Sequence, residues 1–74
     1  MEIPDDILVF KTNIKTAPDQ QRVKALFDEF PAIRQWNVDT DDVDCVLRVV
    51  TEDVNAKEII RLLTETGYQC QELE

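Results

Sequence analysis

The chain has 74 residues, 43% of them hydrophobic and 32% charged, with sixteen acids against eight bases and no histidine. That length fits one small domain spanning residues 1–74 with little room for a deep catalytic pocket, and the composition is that of a globular chain. A net charge of −8 opposes nucleic acid and anionic membranes as partners, and the usual neutral-pH acid–base group and commonest metal ligand are missing.

The start, Met1-Glu2-Ile3-Pro4-Asp5-Asp6, is acidic where an export or mitochondrial signal is basic. No apolar run approaches the roughly 20 residues of a membrane helix. The expectation is a cytoplasmic protein. Ile7-Leu8-Val9-Phe10, within Asp6 to Thr12, is apolar at both parities, as in a central strand buried on two faces. The period then changes. Val23, Leu26, Phe27 and Phe30 fall at i, i+3, i+4 and i+7, on one helical face. Thr16 and Asp19 have the spacing of a capping box, Pro18 suits the first turn, and Pro31 ends the helix.

Ile33 to Asp39 reads as a strand with Arg34, Trp36 and Val38 on one parity, and Trp36 is expected in the core. Asp39-Thr40-Asp41-Asp42 is a turn. Cys45, Leu47 and Val49 alternate with Val46, Arg48 and Val50, and Arg48 marks the wetter face, so the first set points inward. The second helix starts at Asn55, with Glu58 as its capping-box partner and Val54 and Ile59 in the places of a hydrophobic staple. Ile59, Ile60, Leu62 and Leu63 form its apolar stripe, and Gly67 stops it. Tyr68 to Leu73 is a short last strand.

The order β-α-β-β-α-β with short connections specifies an α+β fold. It is a ferredoxin-like sandwich: a four-stranded antiparallel sheet, strand order 4-1-3-2, with two helices on one face. The first strand then separates Cys45 from Cys70, which argues against a disulfide between them. Both are expected to be buried thiols.

Order, length and punctuation together resemble the heavy-metal-associated domain of copper chaperones and metal-transporting ATPases, over roughly Ile7 to Leu73. Asp53-Val54-Asn55-Ala56-Lys57-Glu58-Ile59-Ile60 through Gly67-Tyr68 resembles that family's second helix and its Gly-aromatic ending, and Val38-Asp39 the close of its second strand. The family's Gly-Met-Thr-Cys-x-x-Cys loop falls on Asn13-Ile14-Lys15-Thr16-Ala17-Pro18-Asp19. Ile14 keeps an apolar residue at the methionine position. Thr16 and Asp19 stand where the family has its two cysteines. Cu(I) needs soft thiolate donors, which a hydroxyl and a carboxylate do not replace. The resemblance therefore implies the fold with a degenerate metal site at Thr16 and Asp19.

Asp39, Asp41, Asp42 and Asp44 are the densest acidic cluster, but an EF-hand loop counted from Asp39 would place its glycine at Asp44 and its final glutamate at Val50. The cluster reads as a solvated turn. Lys11, Lys15, Arg22 and Lys24 are half of all the bases and flank the first loop, a patch suited to an acidic partner surface or a small anion.

The expected function is that of a non-enzymatic protein similar to heavy-metal transport or detoxification domains, acting by contact. Asn13, Ile14, Lys15, Thr16, Ala17, Pro18, Asp19 and Arg22 would dock on another protein, with no cofactor and no metal ligand. The protein is expected to be a monomer or a weak homodimer, pairing through its open sheet face if apolar residues show there. Two alternatives stand. One keeps metal binding, through the Asp39–Asp44 hairpin or through cysteines across a dimer. The other is a small-molecule-sensing regulatory domain of the same topology.

Overall fold

Residues apolar at both parities place β1 (Asp6–Thr12) inside the sheet, between β3 (Val46–Thr51) and β4 (Cys70–Glu72). The computed structural model describes residues 6–52 and 54–73. The acidic start, residues 1–5, and Asp53 therefore lie outside the described residues. β2 (Ile33–Asp39) pairs with the other side of β3, so the antiparallel sheet runs β2-β3-β1-β4, the expected 4-1-3-2 order read from its opposite edge.

The inner face carries the core. Phe10, Leu47 and Val49 from the sheet cluster with Val23 and Phe27 of α1 (Ala17–Phe27) and Ile59 and Leu63 of α2 (Ala56–Glu65). Full burial of one such side chain contributes about 1.5–3 kcal/mol, more than a typical helix cap, so the apolar pattern and not the punctuation sets the topology. Trp36 is half-buried against this cluster and meets Phe27 edge-to-face, with ring centroids 5.5 Å apart.

Four local readings change. α1 stops at Phe27, short of Phe30. Pro31 disfavours helical backbone at Phe30, and the chain tightens through Glu29 N–H to the Leu26 carbonyl and Phe30 N–H to the Phe27 carbonyl. Phe30 is left 37% exposed instead of completing the helical face. In β2 a register shift between Ile33 and Gln35 breaks the alternation. Ile33, Trp36 and Val38 pack inward, while Arg34 is exposed and pairs with Glu52. Cys45 is buried but precedes β3 in a left-handed conformation, φ 44°. β4 begins only at Cys70, because Gln69 gives its N–H to the Asn13 side chain at 2.8 Å.

Both helix starts are capped. Thr16 and Asp19 form the complete box, and of the second box the Asn55 half forms, with Asn55 accepting from the Glu58 N–H at 3.0 Å. α2 ends in a Schellman motif. Gly67, at φ 98°, gives its N–H to the Thr64 carbonyl, and Tyr68 gives its N–H to the Leu63 carbonyl.

The outer sheet face carries no helix. A fifth reading changes with it: β1 is central but not buried on both faces, since Ile7 is 65% exposed there, and Val9 and Val50 are half-buried. Among the described residues no helix is long and apolar enough to cross a membrane.

Candidate functional site: the loop between the first strand and the first helix

Thr12 anchors the loop at its start. This buried threonine gives its N–H to the Asp44 carbonyl at 3.0 Å and its hydroxyl to the Cys45 carbonyl at 2.7 Å, and its oxygen accepts the Ile14 N–H. One residue thus holds the loop, the acidic turn and the left-handed Cys45 together. Ile14 is fully buried in the core cluster and supports the loop from beneath. It offers nothing to a partner. Asn13, half-buried, ties the loop to Gln69. The exposed part is Lys15, Thr16, Ala17 and Pro18, with Arg22 one turn along α1.

Asp19 closes the loop. Its Oδ2 accepts the N–H of Lys15 and of Thr16, each at 3.2 Å, and its Oδ1 accepts the Tyr68 hydroxyl at 3.0 Å. Its own N–H returns to Thr16 Oγ1 at 3.2 Å. The Thr16 hydroxyl, then the Lys15 and Thr16 N–H groups, then Tyr68 hold the carboxyl below its ordinary range, against a weak opposing effect of burial. Its place in the first turn of α1, beside the positive end of the helix dipole, favours the same ionised form. Tyr68 responds in kind. Burial first, then donation to Asp19, pushes its phenol above the ordinary value, while Arg22 pulls it back.

An ionised carboxylate offers about four lone-pair directions, and three protein donors already occupy most of them. Thr16 and Asp19 fit Cu(I) poorly, since neither supplies a thiolate. They fit Zn(II) poorly as well, since one carboxylate is far from the four ligands of a closed site. Among the described residues no group of three or more Cys, Asp or Glu side chains is gathered so as to hold a metal ion.

The acidic turn satisfies itself in part. Asp39 accepts the Asp41 N–H, Asp42 accepts the Asp44 N–H, and Asp44 pairs with Lys11 at 3.4 Å. The structure also divides the basic patch expected around the first loop. Lys11 is taken by Asp44, and Lys24, at 2.8 Å, by Asp28, the residue that caps the end of α1. Lys15 and Arg22 have no ion pair among the described residues.

Both cysteines are free thiols on either side of Thr12, which pairs with Cys70 in the sheet and bonds to Cys45. Cys45 is buried. Cys70 is half-buried, and burial pushes its thiol up to about 12. The partner that sequence reading missed is Tyr68. A Gly-aromatic pair marks a helix end, but nothing in the letters aims that ring at a carboxylate 49 residues away.

No family model and no curated protein matches the chain. Among solved structures, the chain is similar to the N-terminal domain of ZntA, determined in solution in its Zn(II) form. The TM-score is 0.77 over 97% of this chain and 96% of that one, at 14% sequence identity. The two share the four-stranded, two-helix ferredoxin-like fold.

Proposed function

We propose that this protein is a heavy-metal-associated-like domain that works as a protein-interaction module through its first loop, without carrying copper there. The observation that carries the reading is the engagement of the Asp19 carboxylate by three protein donors. At one of the two positions where the family has a metal-binding cysteine, the carboxylate is spent on Lys15, Thr16 and Tyr68. The fold shared with a domain solved in a Zn(II) form supports the kinship.

What remains for function is a rigid, exposed ledge, Lys15 to Pro18, with the cations of Lys15 and Arg22 beside it. A preformed loop loses little conformational entropy on docking, and two cations without an ion pair among the described residues, on a chain of net charge −8, select an acidic partner surface. The domain acts in solution, without catalysis or a resident cofactor. Photo-crosslinking side chains placed at positions 15, 22 and 57 in living cells test this. The reading expects one shared adduct from positions 15 and 22, lost on reversing the remaining cation, and none from position 57 on α2. Identical adducts from all three positions, or none from the loop, would contradict it.

A further inference from the structure

Two surface features of opposite chemistry lie at opposite ends of the β2–β3 hairpin. At the closed end, the connecting turn carries Val43, 92% exposed, among the carboxylates of Asp41, Asp42 and Asp44. This aliphatic knob is held rigidly. The Asp41, Asp44 and Cys45 N–H groups are bonded within the turn, and Thr12 grips its far side through the Asp44 and Cys45 carbonyls.

At the open end, the uncovered sheet face forms a groove of about 490 Å³. Ile7, Trp36 and Val50 are its apolar lining, and Arg34, Gln35, Asn37 and Arg48 its polar lining. Arg34 is paired with Glu52. Arg48 stands on the inner strand β3, opposite Val9 on one side and Asn37 on the other, and has no acidic partner among the described residues. A carboxylate brought there makes a new charge-assisted bond without displacing an old one.

We propose that the turn 40–44 of one copy docks in the open-face groove of a second copy, with Val43 against Ile7 and Val50 and the Asp41 and Asp42 carboxylates toward Arg48. The segment the groove suits, an exposed aliphatic side chain ringed by acids, is present on the same surface. A face-to-face pairing of two sheets would instead set one face carrying Arg48 against another. Where a single knob–groove contact joins two copies, the contact is heterologous and leaves a free knob and a free groove to propagate head to tail. The −8 charge on each copy opposes approach at long range, but at physiological ionic strength it is screened beyond about 8 Å. One knob in one groove buries well under the roughly 1,000 Å² of a stable interface, so the association is weak.

The test is a complementation by amide NMR, independent of the reading of the first loop. Over about 0.05–2 mM, a range suited to weak association, amides of residues 41–45 and of 7, 35–37 and 48–50 should shift together. Val43→Lys and Arg48→Glu, both at exposed positions, should each abolish the dependence. Labelled V43K mixed with unlabelled R48E should regain the groove shifts, and the reverse labelling the turn shifts, with no growth beyond a dimer. Concentration-independent spectra of the unaltered protein would overturn the proposal. So would groove shifts without turn shifts, the mark of face-to-face pairing, or failure of the mixed variants to complement.

Discussion

Tyr68 gives its hydroxyl to the Asp19 carboxylate at 3.0 Å, joining the first turn of α1 to the residue that follows the glycine stop of α2. The bond turns a local helix cap into a tertiary clasp. The same carboxylate orders the Lys15–Thr16 backbone, so the shape of the candidate docking ledge depends on a residue at the other end of the chain.

Removing the hydroxyl isolates that clasp. Tyr68→Phe keeps the buried ring and should cost about 0.5–1.5 kcal/mol, the usual net worth of one hydrogen bond. Thr16→Ala should cost about 0.5–2 kcal/mol through the lost cap. Because both act through Asp19, the double variant should lose less than the sum of the two. Urea unfolding of the four proteins measures the coupling, and strict additivity would show that Tyr68 and Thr16 do not act on a common group.

The pH dependence follows from the same pair. The Asp19 carboxyl is held below its ordinary 3.8, so its contribution is present above that value and is lost as pH falls through the lower, folded-state value. The Tyr68 phenol is raised above 10.0, so its contribution is full below 10.0 and declines as pH rises toward the folded-state value. Unfolding free energy measured against pH should fall at both ends. Asp19→Asn should flatten the acid limb and Tyr68→Phe the alkaline one.

Much of this fold is legible in the letters, for reasons that can be assigned. The inward set Leu47 and Val49, the capping box at Thr16 and Asp19, and the stop at Gly67 each rest on a local rule that the tertiary structure also obeys. Where a second constraint intervenes, the local rule fails. The 3.6-residue period carries through to Phe30, but Pro31 ends the helix before it. Strict alternation puts Arg34 beside Trp36, but a register shift turns it out to Glu52. The left-handed backbone at Cys45 has no glycine or asparagine to announce it, because Thr12, 33 residues earlier, holds it there. In the candidate site the capping box is readable from spacing, whereas the Tyr68 contact and the split of the basic patch depend on which charges the fold brings together.

The thiols should be quiet. With the Cys70 thiol pushed up to about 12, only about one molecule in ten thousand carries its thiolate near pH 8, and Cys45 is buried. Iodoacetamide labelling followed by mass should be slow at both in the native protein and rapid after denaturation. Rapid native labelling of Cys70 would reopen cysteine ligation across a dimer.

Gly67 is favoured for backbone reasons alone. A Cβ there would meet nothing within 4 Å, yet φ is 98°. Gly67→Ala should therefore destabilise by about 1–2 kcal/mol through left-handed strain, without a packing defect. A lower unfolding midpoint with an unchanged denaturant slope is the expected signature.

The most direct test of the account is a titration of the reduced protein with Cu(I) and with Zn(II), following the amides of residues 13–19. The account predicts no saturable shift in that loop at stoichiometric metal, because the Asp19 carboxylate is already engaged by Lys15, Thr16 and Tyr68. Saturable shifts there, accompanied by loss of the Tyr68–Asp19 bond, would contradict it and make the loop a metal site with ligands of a different kind.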